Sequence, residues 1–149
     1  MDYSTDLLTH GVNVVTAEYA GETAGLAVAW ATQVSSEKVL ICVGSQSATR
    51  PLIEESGAFG LSVLRADQLD VARTFGRHHS DEVSKFAGVA CHTRETGAPL
   101  LDDCVAAFDC RVERTFDLES GQMLFLARIV DGEVFEPDAE RLIYRAEDY

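Results

Sequence analysis

The chain has 149 residues, 46% of them hydrophobic, and a formal net charge of −13, which suits one domain over residues 1–149 with a core of its own. That acidity excludes nucleic acid and anionic membrane as partners, because phosphate surfaces must be met by Lys and Arg, but it leaves room for a small phosphorylated ligand held by a few local donors. No apolar run approaches the roughly 20 residues that span a bilayer, and the opening MDYSTDLLTHG has none of the basic cluster of an export signal. The expected location is the cytoplasm.

Gly11 to Ala20 (GVNVVTAEYA) is β-branched and bounded by turns, which predicts a strand. Gly21-Glu22 turns the chain into Ala24 to Ala31, which pairs back as a hairpin. Val39 to Val43 (VLICV) is a continuous apolar run and predicts a strand buried on both faces, with Cys42 in its packing. After the polar loop GSQSA, Thr49 caps a helix with Pro51 in its first turn, and Gly57 ends it. Phe59 to Leu64 alternates as a strand, and Asp67 caps a second helix that stops at Gly76.

Arg77 to Val83 is polar and reads as a loop or a single turn. Gly88 to Thr93 predicts a short strand. Val105 to Thr115 and Met123 to Val134 are the longest alternating runs, joined by a loop over Asp117 to Gln122. The Asp131-Gly132 pair inside the second run predicts a bulge or an end there. Leu142 to Tyr144 adds a last short strand. Six or seven antiparallel strands with two or three short helices define a mainly β chain, a small closed barrel rather than a doubly wound sheet.

Four cysteines, Cys42, Cys91, Cys104 and Cys110, form no C-x-x-C pair. They read as reduced thiols, and their spacing fits no metal site. There is no G-x-S-x-G elbow, no P-loop and no G-x-G-x-x-G motif. The four histidines are scattered, and His78 and His79 read as loop polar groups.

One stretch stands apart. From Thr23 the chain reads TAGLAVAWATQVSS, with Ala27, Ala29 and Ala31 where a core strand carries bulk, and a single ring, Trp30, among them. The bare face admits a flat guest, and Thr32, Gln33 and Ser35 follow with hydrogen-bonding groups. Downstream, GSQSATR places Ser47, Thr49 and Arg50 before a helix N-terminus, an arrangement that suits an anion or a plain cap. Trp30 suits a core position, an interface or a stacking partner. Lys85 before Phe86 suits a surface lysine over a ring or a charge offered to a ligand.

In this order, GVNVVTA, GLAVAWATQVS, SGAFGLSVLRADQLDVARTFGR, SKFAGV, GAPLL, AFDCRVERTF and LFLARIVDG, with LIYRAEDY near the end, resemble the flavin reductase-like family with the FMN-binding split β-barrel, over nearly the whole chain. The resemblance implies a Greek-key split barrel and a homodimer holding FMN, with FAD as the less usual form. It implies hydride transfer from NADH or NADPH to flavin, with reduced flavin passed to a partner oxygenase. A flavoredoxin-like electron carrier, or a split-barrel protein binding another planar ligand, is the alternative.

By resemblance, Ala29, Trp30, Ala31 and Thr32 meet the ring and ribityl chain, with the N–H groups of Ala31 and Thr32 on the N1–O2 edge. Ser35 lies close by, and Ser47, Thr49 and Arg50 hold the phosphate. Arg77 to Ser80, with Lys85 and Phe86, border the ring or the phosphate. The chain departs from the family in three places. The hydroxyl residues usual at 27 and 29 are alanines, two prolines are replaced by Lys38 and Val39, and the late Gly-Asp-His reads Gly121-Gln122-Met123. Met123 then stands as a soft apolar contact where reductases carry a histidine.

Overall fold

The computed structural model describes residue 3 and residues 7–76 and 85–149. Seven strands form one antiparallel sheet: β1 (Asn13–Tyr19), β2 (Glu22–Val28), β3 (Ala31–Gln33), β4 (Lys38–Gly44), β5 (Ala58–Val63) and, after the ribbon strands β6 (Cys91–His92) and β7 (Leu100–Leu101), β8 (Ala106–Asp117) and β9 (Gln122–Val134). The order across the sheet is β2-β1-β5-β8-β9-β4-β3, with β6 and β7 paired separately. Helix α1 (Thr49–Ser56) lies between β4 and β5, and α2 (Leu69–Phe75) follows β5.

The two edge strands, β2 and β3, are consecutive in sequence and separated only by Ala29 and Trp30. Three peptide steps span at most about 11 Å. A flat sheet of this width spreads over nearly 30 Å at the usual strand spacing. The sheet therefore curls until its edges nearly meet, which is a split barrel. The expected mainly β barrel is what the chain forms.

Both faces of the curl carry a core. Val15, Ala17, Val28, Val39, Ile41, Val43, Phe59, Leu61, Cys110, Met123, Phe125 and Ala127 fill the inside, with Leu52 and Ile53 of α1 packed among them. On the outside, Phe75 and Ala72 of α2, Leu100 and Leu101 of β7, and Val12, Val14, Leu64, Cys104, Ala107 and Leu142 form a second cluster.

Several elements differ from their sequence reading. The segment from Ala24 to Ala31 is two strands, because the chain leaves the β1 ladder after Val28 and joins β4 from Ala31. β4 is buried on one face only: Val39, Ile41 and Val43 point inward, while Leu40 and Cys42 are half-buried on the outer face. Ala48, not Thr49, is the N-cap of α1 and makes no side-chain cap bond; Ser47 Oγ, one residue before it, accepts the Thr49 N–H at 3.0 Å.

Gln68, not Asp67, is the N-cap of α2; Asp67 pairs instead with Arg65. Gly57 ends α1 at φ 69° as expected, a conformation that favours glycine. The predicted Gly88–Thr93 strand shortens to Cys91–His92. Residues 142–144 make one isolated bridge, Gly11 to Ile143, and no strand. The bulge near Asp131-Gly132 is present: Asp109 pairs with Asp131 and Cys110 with Ile129, leaving Val130 over. All four cysteines are free, and burial pushes the Cys104 and Cys110 thiols up to about 12.

Candidate functional site at the barrel seam

Hydrogen-bond alternation locates the site. The closing pair of the β1–β2 hairpin is Tyr19 with Glu22, across a two-residue turn in which Ala20 and Gly21 both have positive φ. Counting back from it, the N–H and C=O of Thr23, Gly25 and Ala27 face away from β1, on the open edge of β2. On the far side of the seam, β3 and β4 are joined at both ends: the Cys42 N–H donates to the Trp30 carbonyl at 2.9 Å and the Val34 N–H to the Lys38 carbonyl at 3.0 Å. The even-numbered residues of β4 therefore present their backbone groups toward β3 and the seam. β3 begins at Ala31, so beyond Cys42 nothing continues the ladder.

A cavity of about 310 Å³ opens where the ladder is missing, lined by Leu26, Ala27, Val28, Ala29, Trp30, Cys42, Gly44, Gln122 and Tyr144. Its backbone edges are the Ala27 N–H and C=O on one side and the Cys42 C=O and Gly44 N–H on the other. None of these has a hydrogen-bond partner among the described residues. An open strand edge needs partners, and Ala27, Ala29 and Gly44 carry too little side chain to block an approach to it. A Cβ added at Gly44 would sit 3.7 Å from the Gln122 amide, inside the cleft. Among the described residues, the lining contains no Asp, Glu, His, Lys or Arg.

Of the sequence-predicted residues, Ala29 and Trp30 line this cleft. Trp30 is 42% exposed, which removes it from the core. Ala31 packs against the inner core, and its N–H donates to the Ala29 carbonyl at 3.0 Å in a tight turn about Trp30. The alternation puts the Thr32 N–H in the ladder opposite Leu40. The two backbone donors expected for a ligand are thus both taken. Thr32 Oγ1 and Ser35 Oγ are exposed, the second accepting the Glu37 N–H at 3.2 Å.

The turn after β4 leads from the cleft to α1. The Ser45 N–H donates to the Gly121 carbonyl at 2.7 Å and the Ser47 N–H to the Gly44 carbonyl at 3.2 Å, so the turn leans on the tip of the β8–β9 hairpin. Thr49 is 1% exposed, and its Oγ1 is a buried side-chain oxygen with no hydrogen-bond partner. Arg50 holds Glu54 through Nε at 2.9 Å. With the Thr49 N–H taken by Ser47 and Pro51 lacking one, the Arg50 N–H is the open donor of the first turn.

Lys85 and Phe86 serve the fold. Lys85 Nζ donates to the Gly25 carbonyl at 3.1 Å and the Phe75 carbonyl at 3.2 Å, capping the open edge of β2 beside the cleft. Phe86 packs edge-on against Phe75, with centroids 5.2 Å apart. Arg77, His78, His79 and Ser80 lie outside the described residues.

Sequence reading missed Cys42, Gly44, Gln122 and Tyr144. Cys42 sits on the outer face, its thiol directed at Gln122 Oε1 3.6 Å away, and burial raises its pKa. Met123 is 8% exposed within the inner core, so the hairpin residue at the cleft is Gln122. Strict alternation along β9 from buried Phe125 is the signal that separates these two neighbours.

A curled antiparallel sheet with a small-residue cleft at its unclosed seam defines a split barrel. The chain belongs to the flavin reductase like domain family, whose model matches residues 5–149. It is similar to a ferric-chelate reductase (NAD(P)H) of Archaeoglobus fulgidus, 33% identical over 92% of this chain and 82% of that protein. It is also similar to an FMN reductase (NADH) RutF of Bradyrhizobium diazoefficiens, 32% identical over 76% of this chain and 64% of that one. Among solved structures, the NADH:FAD oxidoreductase of Streptomyces globisporus, in complex with NAD and FAD fragments, superposes with a TM-score of 0.82 at 31% identity, covering 92% of this chain and 81% of its own.

Proposed function

We propose that the protein is an NAD(P)H-dependent flavin reductase that holds flavin, as FMN or in the alternative FAD, with the ring in the seam cleft. The carrying observation is the cleft itself: two open strand edges, floored by Ala27, Ala29 and Gly44 and flanked by Trp30 and Tyr144. Named relatives and the superposed oxidoreductase support the same chemistry. The residues fit the group. The cleft offers backbone donors and acceptors along an apolar slot, and the orphaned Thr49 hydroxyl and the open Arg50 N–H lie one turn downstream of it.

When bound, the flavin supplies the hydride acceptance from a nicotinamide, chemistry that belongs to the cofactor. The chain supplies binding and orientation. Ala29 and Trp30 would support the ring, and the Gly44 N–H, rather than the Ala31 or Thr32 N–H, would be the backbone donor to it. Ser47, Thr49 and Arg50 hold the phosphate, in this reading, with the guanidinium and the helix terminus contributing positive charge.

Three further parts belong to this proposal. The outer faces of β4, β8 and β9 bring Leu40 opposite Leu126, Cys42 opposite Leu124, and Leu124 opposite Phe116. This apolar patch adjoining an open cleft supports a homodimer in which a second copy covers the ring. An open, shallow site lets reduced flavin leave, which supports delivery to a partner oxygenase or redox protein. Four free thiols suit a reducing cytoplasm; no helix among the described residues is long and apolar enough to cross a membrane.

The test is a titration of the purified protein with FMN and FAD, followed by NADH and NADPH oxidation and light scattering. Binding with catalytic turnover is expected. Binding without turnover selects the electron carrier, and failure to bind either flavin overturns both.

A further inference from the structure

One wall of the cleft comes from far along the chain. The Tyr144 N–H donates to the His10 carbonyl at 2.8 Å, and the bridge between Gly11 and Ile143 docks the segment beside the start of β1. The half-buried Tyr144 ring packs against the outer core and lines the cleft. The ring of Tyr149 stacks on it, with centroids 5.5 Å apart and planes 17° from parallel.

Tyr149 is braced in turn. A 3₁₀ turn over Ala146–Asp148 carries it, closed by the Asp148 N–H on the Arg145 carbonyl and the Tyr149 N–H on the Ala146 carbonyl. Arg73 of α2 donates through Nε to the Asp148 carbonyl at 2.8 Å. Tyr149 is nonetheless 48% exposed. Ordering two aromatic side chains at a half-exposed site costs rotamer freedom, and neither core requires Tyr149. What the stack does accomplish is to fix the plane of Tyr144 where it borders the cleft.

We propose that Tyr144 contacts the ring of the bound flavin and that Tyr149 is the positioning residue that sets its angle, so that the turn at 146–149 governs how tightly the ring is held. This rests on the flavin reading of the cleft. Aromatic contacts of this kind change affinity by up to about tenfold.

The experiment measures FMN dissociation constants by equilibrium dialysis and the visible circular dichroism of bound FMN, with thermal midpoints as a folding control. Tyr144→Leu keeps apolar volume and weakens FMN by about tenfold; Tyr144→Phe stays near the unsubstituted value. Tyr149→Ala weakens FMN by about threefold and alters the visible dichroism, and Tyr149→Phe restores both. Unchanged affinity and dichroism in Tyr144→Leu and Tyr149→Ala overturn this inference alone, as does a Tyr149→Phe protein that fails like Tyr149→Ala. No FMN binding by the unsubstituted protein overturns the flavin reading with it.

Discussion

The Cys42 N–H donates to the Trp30 carbonyl at 2.9 Å, and with that bond the ladder between β3 and β4 ends. On one side of it the sheet is closed through β3. On the other, β2 and β4 diverge around Ala27, Ala29 and Gly44, and the cleft begins.

Filling that gap is the direct test of its purpose. Ala29 belongs to neither core, so Ala29→Leu adds bulk to the cleft without disturbing the packing that stabilises the fold. The expected result is a loss of FMN affinity of at least tenfold, about 1.4 kcal/mol, with a thermal midpoint shifted by no more than a few degrees. Calorimetric titration beside a melting curve separates the two effects.

The phosphate assignment is tested by comparing two ligands. If Arg50 and the first turn of α1 hold an anion, Arg50→Ala weakens FMN by about 1.5–3 kcal/mol, the range for a charge-assisted hydrogen bond, and leaves riboflavin unchanged. Equal losses for both ligands remove Arg50 from the phosphate site. The ion pair with Glu54 is i,i+4 and worth only a few tenths of a kcal/mol, so it does not mask the result.

Gly60 carries a different constraint. A Cβ there would collide with the Pro99 carbonyl and with Thr16 Oγ1, which themselves share a buried hydrogen bond. The strand must move or that bond must break, so Gly60→Ala costs about 3 kcal/mol. Chemical denaturation measures it; FMN affinity per folded molecule stays unchanged.

Much of this architecture was legible from alternation alone. β-branched and aromatic residues two apart marked β1, β5, β8 and β9, and Gly57 marked the end of α1. The break after Val28 was hidden, because Ala27, Ala29 and Ala31 continue one period while the chain changes partners between them. Periodicity records which face a side chain occupies, not which strand holds the backbone. The same limit turned Ala31 and Thr32 into expected donors, since only the ladder register shows their N–H groups to be taken. Met123 and Gln122 were confused for a related reason: one residue of register exchanges the core for the cleft. The place of Tyr144 at the cleft was not legible locally, because its segment reaches the site through docking beside His10.

Acid sensitivity follows from the paired carboxylates. The hydrogen bond from Arg65 holds the Asp103 carboxyl below its usual range, that from Lys38 does so for Glu113, and that from Arg94 for Glu133. A carboxylate with a lowered pKa in the folded state contributes stability above its unfolded value, near 4 for these residue types. That contribution is lost as the pH falls through the lower, folded value. The thermal midpoint is therefore flat from neutrality to about pH 5 and drops below it. Arg65 joins Asp67, Asp103 and Glu136, so Arg65→Met makes the drop shallower. Each pair is exposed and individually weak, so the slope across the pH series is the measurement to make.

The thiols provide a footprint of the site that needs no substitution. Burial pushes Cys104 and Cys110 up to about 12, so almost none of either is thiolate at mild alkaline pH, and thiolate is the form that reacts. Cys42 and Cys91 are half-buried, with smaller upward shifts. Cys42 lines the cleft, whereas Cys91 lies on the β6–β7 ribbon. Alkylation read by mass spectrometry should label Cys42 and Cys91 while sparing the buried pair. Saturating FMN should then slow Cys42 at least tenfold and leave Cys91 unchanged, because a ring between β2 and β4 covers the first thiol and not the second. Equal protection of both would mean that flavin tightens the whole molecule rather than filling the seam, and no protection of either would place the ring elsewhere.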